Sequence, residues 1–168
     1  MPGGEREVTP AAFRRVMSRL AGGVTVVATV DADGKTHGMT VNALVSVSLD
    51  PVLVLFCCER DASLHEPLLA AGRWTVSMLT SAQGQLSRWF AARERHGTDQ
   101  FAGLAVREGE HTGVPILADS LAWLECRTWA TYDGGDHTIV VGEVLDMDLG
   151  PDEAEPLLYF RREYRTLR

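Results

Sequence analysis

Apolar and polar positions alternate along this chain with two different periods. Phe13, Val16, Met17 and Leu20 recur at helical spacing. Thr9 and Pro10 precede them as an N-cap and a first helical position, and Gly22-Gly23 follows as a stop. This predicts a short amphipathic helix over 9–20. The β-branched run VTVVATV at 24–30 predicts a strand. Asp31-Ala32-Asp33-Gly34 is a turn signal, so a hairpin returns through 36–41. Residues 42–48 read as extended. Asp50-Pro51 interrupts them, and VLVLFCC at 52–58 reads as a strand buried on both faces.

Ser63 looks like the N-cap of a second helix, with Glu66 at the capping-box position, Pro67 in the first turn and Gly72 as the stop. A strand over 73–79 follows. Ser81 opens a third helix through Leu86, Trp89 and Phe90, and the polar stretch 93–112 shows no period. Two further strands, 121–131 and 137–145, are joined at 132–136, and a last short element falls within 156–164. Strands mostly follow strands rather than alternating with helices. Six or seven strands and three short helices predict a mainly β, antiparallel barrel with peripheral helices, not a doubly wound α/β fold. The expected organisation is a frayed tail at 1–8 and one domain over 9–168.

Composition narrows the partners. The 168 residues carry a formal net charge of −7, which argues against nucleic acid and anionic membrane surfaces. A phosphorylated ligand would need local Arg, Ser, Thr or backbone N–H groups to offset that charge. No apolar run approaches the ~20 residues of a membrane helix, and the first dozen residues show no apolar leader. Cys57, Cys58 and Cys126 are an odd set with an adjacent pair, which fits small buried hydrophobes in a reducing cytoplasm better than a disulfide framework or a metal site. The sequence has no G-x-G-x-x-G after a strand, no P-loop, no G-x-S-x-G and no H-E-x-x-H.

Three segments carry candidate chemistry. Thr40, Asn42, Ser46 and Ser48 lie on an extended stretch, where hydroxyls and free backbone N–H groups suit the polar edge of a planar ring. They equally suit an ordinary strand with a Ser/Thr face. Gly135-Asp136-His137 stands at a strand junction, with an imidazole that titrates near neutrality or simply an exposed hairpin His. Phe90-Ala91-Ala92-Arg93 ends the third helix, so an aromatic and a guanidinium can bracket a ring and a phosphate. The plainer alternative is a core Phe and a solvated helix end.

Taken together, AGGVTVVAT, HGMTVNALVSVSLDP, SLHEPLLAAGRWTVSML, SAQGQLSRWFA, PILADSLAWLEC and GGDHTIVVGEV occur in an order and spacing that resembles the flavin reductase family of two-component monooxygenases, which folds as an FMN-binding split barrel. The resemblance runs from about Phe13 to Tyr164. It implies that Thr40, Val41, Asn42, Ala43, Ser46, Val47 and Ser48 line the isoalloxazine ring, and that Cys57, Cys58 and Ser63 lie near the ribityl chain and phosphate. Phe90 and Arg93 would close the cofactor side. His137, within Gly135-Asp136-His137, would face the nicotinamide, and Tyr164 would lie near that pocket. Asn42 stands where the family often has Ser, and Val52 where a second proline is frequent, which leaves the choice of flavin open.

The activity so implied is NAD(P)H:flavin oxidoreduction. NADH or NADPH reduces FAD or FMN by direct hydride transfer, and the free reduced flavin goes to a partner monooxygenase. Such chemistry needs stacked rings and donors for growing negative charge, not a nucleophile. The resemblance also implies a homodimer. The competing expectations are a non-enzymatic flavin-binding module on the same barrel, a split-barrel oxidase of a phosphorylated vitamin, and a cofactor-free interaction protein.

Overall fold

A computed structural model describes residues 7–92 and 99–167. Most of the tail expected at 1–8, and Arg93, lie outside the described residues. Helix α1 spans Pro10–Met17, capped by the Thr9 hydroxyl, which accepts from the Ala12 N–H at 3.2 Å. It stops earlier than 9–20 because the Ser18 hydroxyl donates back to the Arg15 carbonyl and the next two N–H groups close tighter i→i+3 turns. Strands β1 (Gly22–Gly23), β2 (Thr25–Val30), β3 (Thr36–Val41), β4 (Val45–Leu49) and β5 (Val52–Glu59) follow, then α2 (His65–Ala71) and β6 (Arg73–Met78). A short 3-10 turn at Ser81–Gln83 leads into α3 (Gly84–Ala91). The remaining strands are β7 (Val106–Glu108), β8 (Pro115–Leu117), β9 (Ala122–Gly134), β10 (His137–Leu149), β11 (Leu158–Phe160) and β12 (Glu163–Arg165).

The main sheet has seven strands in the order β3-β2-β6-β9-β10-β5-β4, and its neighbours are antiparallel. It carries a core on each face. In one, Trp74 and Phe56 meet edge to face at 5.0 Å and pack with Val27, Val76 and Val140. Gly142 is required there, since a Cβ would stand 2.2 Å from the Trp74 ring. In the other, Phe90 and Phe101 pack at 4.7 Å with Val26, Ala28 and Val114 beneath α3. Val41 of β3 shares the first core with Val54, Phe56 and Cys58 of β5. No ladder joins β3 to β4, the two ends of this sheet, among the described residues.

Two local expectations change. Ser63 does not cap α2: the N-cap is Leu64, with no side-chain cap bond. Leu64 and Leu68 are fully buried, so burying this pair sets the start of the helix in place of the hydroxyl. The strand VLVLFCC is buried on one face only. Val54, Phe56 and Cys58 are buried, while Leu53, Leu55 and Cys57 are half-buried, because this end of the sheet has no second layer over its other face among the described residues. Within the polar stretch 93–112, the structure adds β7, which pairs with β8. Glu125 is fully buried and holds that region, accepting at Oε2 from the Thr112 N–H at 2.8 Å and its hydroxyl at 2.6 Å.

Candidate cofactor and nucleotide site

Strand register decides which of the candidate residues can cooperate. Opposite partners in an antiparallel pair point to the same side of a sheet. His137 stands opposite Glu59, Ile139 opposite Cys57, and Val141 opposite Leu55. Val45 of β4 also stands opposite Leu55. So His137, Cys57 and Val45 share one face, while Cys58 and Thr138 face the core. Cys58 is fully buried, and its thiol is pushed up to about 12, chiefly by loss of hydration and secondarily by the Glu59 charge. It is no nucleophile at neutral pH. Two strand spacings and four residues of rise separate Val45 from His137, roughly 16 Å. Strand β4 and His137 therefore flank the same strand, β5.

The wall is unevenly exposed. Val41 is buried and offers only its backbone, whose carbonyl accepts from the Thr25 hydroxyl at 2.9 Å. Asn42, Ala43, Ser46 and Val47 are exposed and Ser48 is half-buried. A register shift between Ser46 and Ser48 makes Val47 a bulge residue. Strand β4 ends the sheet, so its outer row of N–H and C=O groups has no strand partner among the described residues. Asn42, Ala43 and Ser46 line a cleft of about 790 Å³ with Met17 and Leu20 of the α1 segment.

A second cavity, of about 270 Å³, brings Thr40, Ser63 and Phe90 together with Glu59 and Gln100. Thr40 donates its hydroxyl to the Ser87 carbonyl at 2.7 Å, and the Ser87 hydroxyl lies 2.7 Å from the Tyr164 hydroxyl. Tyr164 carries the Arg88 guanidinium over its ring at 4.8 Å and lines a separate hollow with Ser81 and Arg165. The structure thus links Tyr164 to the Thr40 end of the wall.

His137 opens β10. Its Nδ1 lies 2.7 Å from Asp136 Oδ1, and this bond, with the charge behind it, holds the Asp136 carboxyl below the usual range. The carboxyl of Asp133 is lowered by the Gly135 N–H and by Arg60. Two residues that the sequence reading passed over belong here. Arg60 grips the 133–136 hairpin, and buried His65 places Nε2 2.8 Å from the Thr138 hydroxyl. Their only sequence signal is position, immediately after β5 and at the start of α2.

These features suit a flat heterocycle. Unpaired backbone donors and acceptors along β4 match the polar edge of an isoalloxazine, and exposed Val45 and Val47 offer it apolar contact. The Ser63 hydroxyl and the Gln100 amide give the second cavity polar groups. No group of three or more potential metal ligands occurs among the described residues.

Comparisons with known proteins point the same way. Residues 17–168 match the flavin reductase like domain family. A "NADH:riboflavin 5'-phosphate oxidoreductase" of Streptomyces pristinaespiralis is 40% identical over 95% of this chain and 89% of its own length. The reductase component of 4-hydroxyphenylacetate 3-monooxygenase from Thermus thermophilus is 42% identical over 93% of this chain and 95% of its own. Among solved structures, a Streptomyces globisporus NADH:FAD oxidoreductase in complex with NAD and FAD fragments superposes with a TM-score of 0.88 at 37% identity, covering 97% of both chains.

Proposed function

We propose, because this chain belongs to the flavin reductase like domain family, that it is an NAD(P)H-dependent flavin reductase that hands reduced FAD or FMN to a partner monooxygenase. The observation that carries this reading is the placement of the β4 wall and His137 on either side of β5, within one nucleotide's span. The flavin, when bound, accepts a hydride directly from the nicotinamide. The chain's own work is to bind, orient and exclude water. Backbone groups of 42–48 hold the ring edge and meet the negative charge that grows there. Ser63 and Thr40 lie toward the phosphate, with Phe90 packed behind them. Cys57 shares the ring-facing side of β5, whereas Cys58 and Val41 contribute backbone only. Gly135 and Asp136 set the turn that presents His137, and His137 orients the nicotinamide without acting as an obligatory acid. Tyr164 acts from the Thr40 side, through Ser87. Arg93 is assigned to the phosphate.

The domain over 9–168 is read as a split barrel, supported by the core shared between β3 and β5 where no ladder closes the sheet. It is read as a homodimer. Leu49 pairs with Val52 at one end of the sheet, and Leu145, Met147 and Leu149 run on past that end, all exposed in the single chain. Three free thiols fit a reducing cytoplasm, and no described helix is long and apolar enough to cross a membrane.

The test is anaerobic NADH consumption with catalytic protein and excess free FAD or FMN. Loss of the NADH absorbance band in step with flavin bleaching, over many flavins per protein, is expected. Flavin that binds without NADH consumption, or that never exchanges, would make the chain a binding module instead.

A further inference from the structure

Strand β5 ends at Glu59, opposite His137. The next residue turns back on the hairpin. The Arg60 N–H donates to the Asp136 carbonyl at 3.0 Å, its Nε–H to the Gly135 carbonyl at 3.0 Å, and its Nη2–H to Asp133 Oδ1 at 2.8 Å. Asp133 Oδ1 also accepts from the Gly135 N–H at 3.2 Å. One residue thus holds three of the four positions from Asp133 to Asp136. The planar guanidinium suits this, because its donors are fixed in a fork that meets two acceptors at once.

The residue after His137 is pinned from the opposite side: Thr138 is buried against His65. The His137 ring is hydrogen-bonded to Asp136, and the backbone of Asp136 is what Arg60 holds. The ion pair is solvent-exposed, with side-chain exposures of 46% for Arg60 and 81% for Asp133. Such pairs add little to stability. What this one fixes is the direction of the hairpin.

We infer that Arg60 is a positioning residue for nicotinamide binding, acting through the 133–136 hairpin on His137. The inference rests on the reading that His137 faces the nicotinamide. The test uses the oxidised nucleotide NAD⁺, which binds without turnover, titrated calorimetrically into flavin-loaded protein. Arg60→Ala is expected to weaken NAD⁺ about fivefold, the scale of one lost hydrogen bond, with flavin affinity held within about twofold. The thermal midpoint should move by less than about 2 °C. In a double-mutant cycle, Arg60→Ala combined with His137→Ala should bind no more weakly than His137→Ala alone.

Asp133→Asn separates positioning from charge. It removes negative charge, which on charge alone strengthens binding of an anionic nucleotide, whereas a loosened hairpin weakens it. Weaker binding is expected. If Arg60→Ala binds NAD⁺ like wild type while His137→Ala does not, the positioning role is wrong and the role of His137 stands. Additive losses, or tighter binding by Asp133→Asn, would make Arg60 a direct charge contact and overturn the inference. Wild-type binding by His137→Ala would overturn both.

Discussion

The molecule contains two Asp–His hairpins built from the same parts and finished differently. Between β2 and β3, Asp31 Oδ1 accepts the N–H groups of Asp33 and Lys35 at 3.0 and 2.9 Å, and Oδ2 lies 2.8 Å from His37 Nε2. Between β9 and β10, Asp133 takes the Gly135 N–H and Asp136 takes His137. Each turn has a glycine at positive φ, Gly34 at 79° and Gly135 at 76°. In the first hairpin one aspartate closes both the turn and the imidazole, and the His37 side chain is only 11% exposed. The second is held from outside by Arg60 and leaves the His137 side chain 39% exposed. The two hairpins therefore share their residue types. Burial and the external clamp separate an imidazole that closes a hairpin from one left open to solvent.

The largest contrast should come from the two histidines as ligand contacts. His137→Ala is expected to raise the apparent constant for NADH about tenfold, near 1.4 kcal/mol, with flavin affinity little changed. His37→Ala should leave both constants as they are. Equal loss of NADH and flavin affinity in His137→Ala would break the comparison. In thermal unfolding the order reverses: His37→Ala should lower the midpoint by about 5 °C through loss of a buried, hydrogen-bonded ring, and His137→Ala by much less. The glycines sharpen the contrast next. Gly34→Ala and Gly135→Ala each place a side chain in the left-handed region and should each cost about 1 kcal/mol, but only Gly135→Ala should also weaken NADH binding.

The smallest effect is on pH dependence. The His37 bond, followed by the Lys35 N–H, lowers the Asp31 carboxyl below 3.8. A lowered carboxyl stabilises the fold above its unfolded value and loses that contribution as pH falls through the folded one. The difference in midpoint between wild type and Asp31→Asn should therefore shrink between about pH 5 and pH 2. The His137 bond lowers Asp136 in the same direction, so Asp136→Asn should follow the same trend.

Much of the fold was legible because local signals and the global arrangement agree. Thr9-Pro10 starts α1, Asp31–Gly34 turns the first hairpin, and Gly72 ends α2 at a φ of 63°. The errors arose where tertiary burial outranks local chemistry. Leu64 overrides Ser63 as the start of α2, and a strand rich in apolar residues need not have a layer on both faces. The site was legible only as segments. Ser46 and His137 look like any polar strand or turn residues until register places them about β5. Arg60 gives no local signal at all: its partners lie more than seventy residues away in sequence and are met only once β5 and β10 pair.

The most direct test of the account is a crystal structure of this chain with both flavin and NAD⁺ bound. The account predicts the isoalloxazine edge along 42–48, the nicotinamide stacked on it at about 3.5 Å, and His137 in contact with the nicotinamide. A nicotinamide bound beyond reach of His137 from every subunit, or a flavin seated away from β4, would contradict it.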